Sequence, residues 1–133
     1  MSFLLDTDTF SQLVGGRHTV LLERIARLRP DQIVLSVITR GEVLFGHALD
    51  PLGERKLTRI TELFGTFRTL PMPAEAGDAY GKLRAQLTRQ GRLIGPNDLW
   101  LAAHALAGDL TLVTNNTREF KRVPGLKLAN WME

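Results

Sequence analysis

Hydrophobic and polar positions along the chain fall into two alternating kinds of stretch. Short apolar runs occur near 2–5, 32–36 ("QIVLS"), 69–72 ("TLPM"), 110–114 ("LTLVT") and 126–129 ("LKLA"). Runs this short are too brief for helices and suit strands covered on both faces. Between them, apolar residues recur three and four apart: Val20, Leu21, Ile25 and Leu28; Leu57, Ile60, Phe64 and Phe67; Ala79, Tyr80, Leu83 and Leu87. Each set predicts an amphipathic helix. The stretch from Gly95 to Asp109, "GPNDLWLAAHALAGD", predicts a further helix, begun by Pro96 or Asn97 and stopped by Gly108. Strands alternating with helices predict an α/β fold, a parallel β-sheet flanked by α-helices on both faces. No repeat, linker or low-complexity tract divides the 133 residues, so a single domain is expected over 1–133.

Against this pattern, one octapeptide raises a question of chemistry. In "FLLDTDTF", residues 3–10, two acids follow an apolar run at once. Ligands of open parallel sheets bind beyond the carboxyl ends of the strands, where Asp6 would sit. The simpler reading is that Asp6 or Asp8 only caps a helix beginning near Thr9. Glu42, in "SVITRGEVLFG", lies in the helix after the second run, and Asp98 lies in the first turn of the helix before the fourth. Each taken singly is an acid that favours a helix N-terminus. Periodicity alone does not bring Asp98 to the same sheet edge, because its helix closes a long connection. Taken together, the three acids would repel one another unless a cation neutralised them. Mg2+ or Mn2+, hard ions that take oxygen ligands, are the natural occupants.

Composition narrows the setting. A hydrophobic content of 44% and a charged content of 23% exclude a disordered chain. No apolar run is as long as a membrane span, and "MSFLLDTD" lacks the basic start of a signal peptide, so a cytoplasmic protein is expected. The absence of cysteine excludes thiol nucleophiles and cysteine-bound zinc. A net charge of +3, with 13 arginines among 17 basic residues, leans toward an anionic partner. Arg17, Arg40, Arg92 and Arg118 are the candidate phosphate contacts. His18, His47 and His104 have no helical zinc-site spacing and are read as surface or packing residues. Trp100 and Trp131 are read as core, and Glu75 and Asp78 as solvated. No phosphate-binding glycine loop, Walker lysine or nucleophile elbow occurs.

Asp-x-Asp-x-Thr after a strand resembles the first motif of haloacid-dehalogenase-like phosphatases, and Ser36 ends a second apolar run as that family expects. The resemblance then fails, because "LTLVT" runs into Asn115-Asn116 where an acidic pair is needed, and no clear lysine motif intervenes. A second resemblance covers the chain from end to end. "LLDTD", "SVITRGEVLFG" and "GRLIGPNDLWLAAHALAGDLTLVTNNTREFKRVPGLKLANW" resemble PIN-domain ribonucleases, specifically VapC-type toxins of bacterial toxin–antitoxin pairs.

That resemblance implies a PIN-like sheet with an acidic, Mg2+-dependent site at one edge, with Mn2+ able to substitute. It also implies cleavage of structured RNA, often tRNA, inhibition by a cognate antitoxin, and a homodimer within a larger toxin–antitoxin assembly. Asp6 matches the family's first acid, Asp98 its later metal-binding acid, Glu42 the glutamate between them, and Thr114 the hydroxyl residue before the last acidic position. The chain departs from the fuller pattern at a fourth acid. Asn116 stands there, with Glu119 one turn on, and Asn116 is the favoured occupant because it is nearer the strand end. Glu119 is expected to face the basic run of Arg118, Lys121 and Arg122. The remaining alternative keeps the fold and drops the chemistry, as a binding domain with a degenerate acidic pocket.

Overall fold

The computed structural model describes residues 1–133. In chain order its elements are β1 (Phe3–Leu5), α1 (Thr7–Gly15), α2 (Thr19–Ala26), β2 (Ile33–Ser36), α3 (Val37–Leu49) and α4 (Glu54–Thr66). β3 (Arg68–Leu70), α5 (Ala74–Arg89), α6 (Pro96–Ala107), β4 (Thr111–Val113), α7 (Thr117–Phe120) and β5 (Leu128–Ala129) complete it. A short 3-10 turn, Pro30–Gln32, leads into β2.

All five expected strands are present, trimmed at their ends. β3 lies a residue earlier than the 69–72 expectation and stops at Leu70. Pro71 and Pro73 follow it, and proline can donate no ladder hydrogen bond. The first helix begins two residues before the expected Thr9, and Asp6 is its N-cap. The brief α7 was not anticipated. Four residues, TREF, carry too little periodicity to announce a helix.

All strand pairings are parallel, in the order β3-β2-β1-β4-β5. The chain first builds outward from β1 through β2 to β3, then returns to place β4 and β5 on the other side. The boundary between β1 and β4 is therefore a topological switch point, where the loops leaving two strands diverge and open a crevice.

Side-chain alternation divides the core in two. Leu4, Val34 and Leu112 pack on one face with Leu83 and Leu87 of α5 and Leu99, Leu101 and Ala102 of α6. Leu5, Ile33, Leu35 and Val113 pack on the other with Phe10 and Leu13 of α1, Leu21 of α2 and Ile60 and Leu63 of α4. Each fully buried leucine contributes about 2 kcal/mol by leaving water, which explains why such short strands are nearly all apolar. Ala102, Ala103 and Ala105 are fully buried, and their small side chains let α6 lie close to its neighbours. No helix is long and apolar enough to cross a membrane.

Candidate active site

Asp6 leaves β1 at the switch point. Its N–H donates to the Val113 carbonyl of β4 at 3.0 Å, which extends the ladder by one residue and holds the side chain at the crevice. The carboxylate accepts the Thr9 N–H at 2.8 Å, so Asp6 does cap α1. The capping role does not exhaust it. The side chain is 6% exposed, and burial pushes its pKa above the ordinary value. Hydrogen bonds from Thr114 and Thr9 act in the opposite direction. Thr114, fully buried after β4, also accepts the Asn116 N–H at 2.9 Å. One hydroxyl thus ties Asp6 to the loop that carries the fourth position.

Glu42 projects from α3. Its two oxygens accept from the Thr7 hydroxyl and, at 3.4 Å, from the Asn97 amide. Thr7 is in turn 3.4 Å from the Thr39 hydroxyl, which donates to the Leu5 carbonyl. Asp98 sits in the first turn of α6. That helix feeds β4, so its N-terminus opens at the carboxyl edge of the sheet, and the Asn97–Glu42 bond places it beside α3. This answers what periodicity left open about Asp98.

Glu119 completes the group, contrary to the expectation that it would turn to Arg118, Lys121 and Arg122. Its carboxylate accepts the Gly95 N–H at 3.3 Å and the Asn116 side-chain amide. The reason is the unforeseen α7. Its first turn carries Glu119 back toward the start of α6, while Asn116, its N-cap, becomes a donor to Glu119.

Burial raises the pKa of Asp98 to about 6, assisted by the charges of Glu119, Glu42 and Asp6 and by a hydrogen bond with Glu119. Four carboxylates therefore share one field. No protein cation pairs with any of them, since the molecule's ion pairs are Arg29–Asp31 and Lys127–Asp109, elsewhere on the surface. As the side chains stand, no three of them converge as a closed ligand set. Glu42 and Glu119 are held aside by the amide and hydroxyl groups just named. An ion that keeps most of its waters and takes one or two carboxylates directly, as Mg2+ does, fits such an open donor set.

The other candidates separate. Arg17, Arg92 and Arg118 are exposed. Arg40 is not a free phosphate contact, because its guanidinium lies 4.4 Å from the centre of the Phe64 ring and donates to Thr69 at 3.1 Å. Ser36 is fully buried, caps α3 and hydrogen-bonds His104 at 2.9 Å, far from the role a phosphatase would give it. His104 is a buried packing residue, while His18 caps the start of α2 by accepting the Leu21 N–H and His47 accepts the Leu52 N–H just beyond the end of α3. Trp131 is core against Phe3, and Trp100 stacks on Tyr80 with ring centres 3.8 Å apart. Sequence reasoning passed over Thr7 and Asn97 as site residues. Their signal was adjacency, since each stands next to a candidate acid.

The PIN domain family model matches residues 3–126. The chain is also 35% identical over 131 residues to the tRNA(fMet)-specific endonuclease VapC of Shigella flexneri, covering 98% of both. It is 35% identical over 132 residues to ribonuclease VapC1 of Haemophilus influenzae, again covering 98% of both. The chain belongs to the PIN-domain family, among its VapC ribonucleases. Solved structures agree on the fold. A chain of VapBC2 from Rickettsia felis, in a crystal structure bound to a DNA fragment from their promoter, superposes with a TM-score of 0.90 at 31% identity, covering 98% of this chain and 99% of that one. VapBC-1 from nontypeable Haemophilus influenzae gives 0.90 at 34% identity with complete coverage of both. In this VapC-family chain, Asp6, Glu42, Asp98 and Glu119 gather at the carboxyl edge of the sheet beside the switch point.

Proposed function

We propose that this chain is a Mg2+-dependent endoribonuclease, the toxin of a toxin–antitoxin pair, which cuts structured RNA in the cytoplasm and is neutralised by a VapB-type antitoxin. tRNA is the leading substrate, by likeness to the relative from Shigella flexneri. The observation that carries the reading is the group formed by Asp6, Glu42, Asp98 and Glu119, whose charges no protein cation offsets.

Asp6 and Asp98 would hold the ion, with Glu42 and Glu119 as further acceptors for it or for its waters. Mn2+ would substitute. When bound, a divalent ion supplies Lewis acidity and a more acidic water for attack on phosphorus. The chain's own part is positional. Thr114 fixes Asp6, Thr7 and Asn97 fix Glu42, and Asn116 fixes Glu119. Glu42 is the side chain suited to accept the proton of the attacking water, being partly exposed and within the same field as Asp98. Arg92 and Arg118 can contact phosphates at the rim.

A homodimer is part of the proposal. α3 exposes Val37, Leu44, Phe45 and Leu49, and Gly41 and Ala48 continue the stripe that Val37 and Leu44 define. A two-fold dimer would pair this stripe with its own copy and take its apolar side chains out of water.

The test is incubation of the purified chain with total RNA in chelator, Mg2+ or Mn2+. Discrete products that require metal are expected. Metal binding without cleavage would favour the binding-domain alternative. Release of phosphate from small monoesters would favour the phosphatase.

A further inference from the structure

A cavity of about 330 Å³ lies between α1, α3 and α4, and Thr7 and Glu42 of the acidic site are among the residues that line it. Phe10, Val43 and Ile60 give it an apolar wall, and His47 and Asp50 add polar groups on one side. His47 accepts the Leu52 N–H through Nδ1, so the neutral ring keeps its proton on Nε2 as a donor. Lys56 lines this cavity and also a second hollow of about 250 Å³, which it shares with Arg17 and Arg55, so the two hollows adjoin at Lys56. None of these three cations is in an ion pair. Glu54 and Glu62 stand nearby but share their side of the surface with Arg59, so positive charge remains in excess.

We infer that this cavity seats one unstacked nucleotide of the RNA beside the bond that is cut, and that Arg17, Arg55 and Lys56 hold the phosphates leading away from it. The inference rests on the nuclease reading and adds a substrate path to it. The volume lies at the small end of ligand sites, which suits a single base. An apolar wall with a few polar groups is what reads a base splayed from its stack. The charge order also selects RNA. A peptide with a basic anchor would satisfy the acidic end and then meet three unpaired cations. A polyanion whose reacting phosphate sits at metal-neutralised acids meets cations where its next phosphates fall.

The experiment measures RNA affinity across a salt series, with chelator present to stop cleavage, and kcat/KM with metal. It uses the wild type, Arg17→Ala, Arg55→Ala, Lys56→Ala and Gly46→Leu. The three cations are exposed. A Cβ added at Gly46, which lines the cavity, meets no atom within 4 Å, and Gly46 is exposed, so these variants should fold. Each cation removed should weaken binding of every RNA alike and reduce the salt slope by about one. Gly46→Leu should leave that slope unchanged, lower kcat/KM and alter base preference next to the cut.

Wild-type slopes and wild-type kcat/KM in all four variants, with the wild type active, would overturn the inference and spare the nuclease. Wild-type protein that binds RNA but never cuts it would overturn the nuclease reading, and a changed slope would still support the path. Loss of inhibition by the antitoxin with RNA affinity intact would assign the cavity to the protein partner and overturn the inference.

Discussion

Glu119 of α7 stands beside Asp98 of α6, anchored there by the Gly95 N–H and the Asn116 amide. After burial itself, its charge acts most on the Asp98 carboxyl, whose pKa is raised to about 6. A neutral residue at 116 therefore does not leave the site an acid short. On the proposed function the acid is supplied three residues later by Glu119, which the Asn116 amide holds. Glu119→Gln should reduce metal-dependent cleavage at least tenfold, about 1.4 kcal/mol in the barrier. Asn116→Ala should cost less, because the Gly95 contact remains. Rates across a Mn2+ series measure both, and a larger loss in Asn116→Ala would reverse the assignment.

Asp98 also sets a pH dependence. Its carboxyl titrates near 3.8 when unfolded and near 6 when folded, so the folded state binds the proton more tightly. Stability of the metal-free protein should therefore fall as pH rises from about 4 to about 6 on this account, and stay lowered above that. Asp98→Asn should raise the melting temperature at pH 7, lose that advantage near pH 4, and abolish cleavage. Thermal melts in chelator over this range check it. An Asp98→Asn protein that melts below wild type at pH 7 would contradict the shared field.

Asp6 caps α1 and, on the proposed function, also holds the ion, and substitution can separate the two. Asparagine caps as well as aspartate does, whereas alanine at an N-cap costs about 1 kcal/mol. Asp6→Asn should keep the fold and lose cleavage, and Asp6→Ala should lose both cleavage and about that much stability. Urea unfolding beside an RNA cleavage assay distinguishes them. Equal stability of the two variants would mean that the Thr9 N–H finds another acceptor.

The elements that carry Asp6, Glu42 and Asp98 were legible in the sequence because each acid adjoins a strong local signal: a buried run, a capped helix, a Pro-Asn helix start; that Asp98 reaches the same edge was not, because its helix closes a long connection. The sheet was legible from local signals too, since strands buried on both faces are continuous apolar runs. Glu119 was not, because its orientation depends on a one-turn helix with no periodicity of its own. The contacts of Arg40, a candidate phosphate contact, were not legible either, because its neighbours Phe64 and Thr69 are distant in sequence. Contacts of that kind belong to the tertiary fold and leave no local mark.

Ser36 and His104 form a buried pair 2.9 Å apart between the start of α3 and α6. Burial lowers the His104 pKa, so the ring is neutral at pH 7 and keeps Ser36 as its Nδ1 partner. Ser36→Ala removes both that partner and the cap on the Ile38 N–H. The loss should be about 2 kcal/mol in urea unfolding at pH 7, with cleavage per folded molecule unchanged. Loss of activity without loss of stability would instead draw Ser36 into the chemistry.

The stripe on α3 makes the oligomeric state testable without disturbing the core. Phe45 is 67% and Leu49 74% exposed, so a charge at either position meets water in the monomer and costs the fold little. In an isologous dimer the same charge appears twice across the two-fold axis, desolvated and facing its copy. Phe45→Glu and Leu49→Glu should therefore shift the protein to monomer in sedimentation while leaving its melting temperature at high dilution unchanged. Phe45 also lines a small hollow with Glu42 and Asn97, so the interface would border the acidic site. Monomeric variants should then cut RNA with altered KM before any change in metal affinity. A wild type that sediments as a monomer at all concentrations would leave the stripe without the partner argued for it.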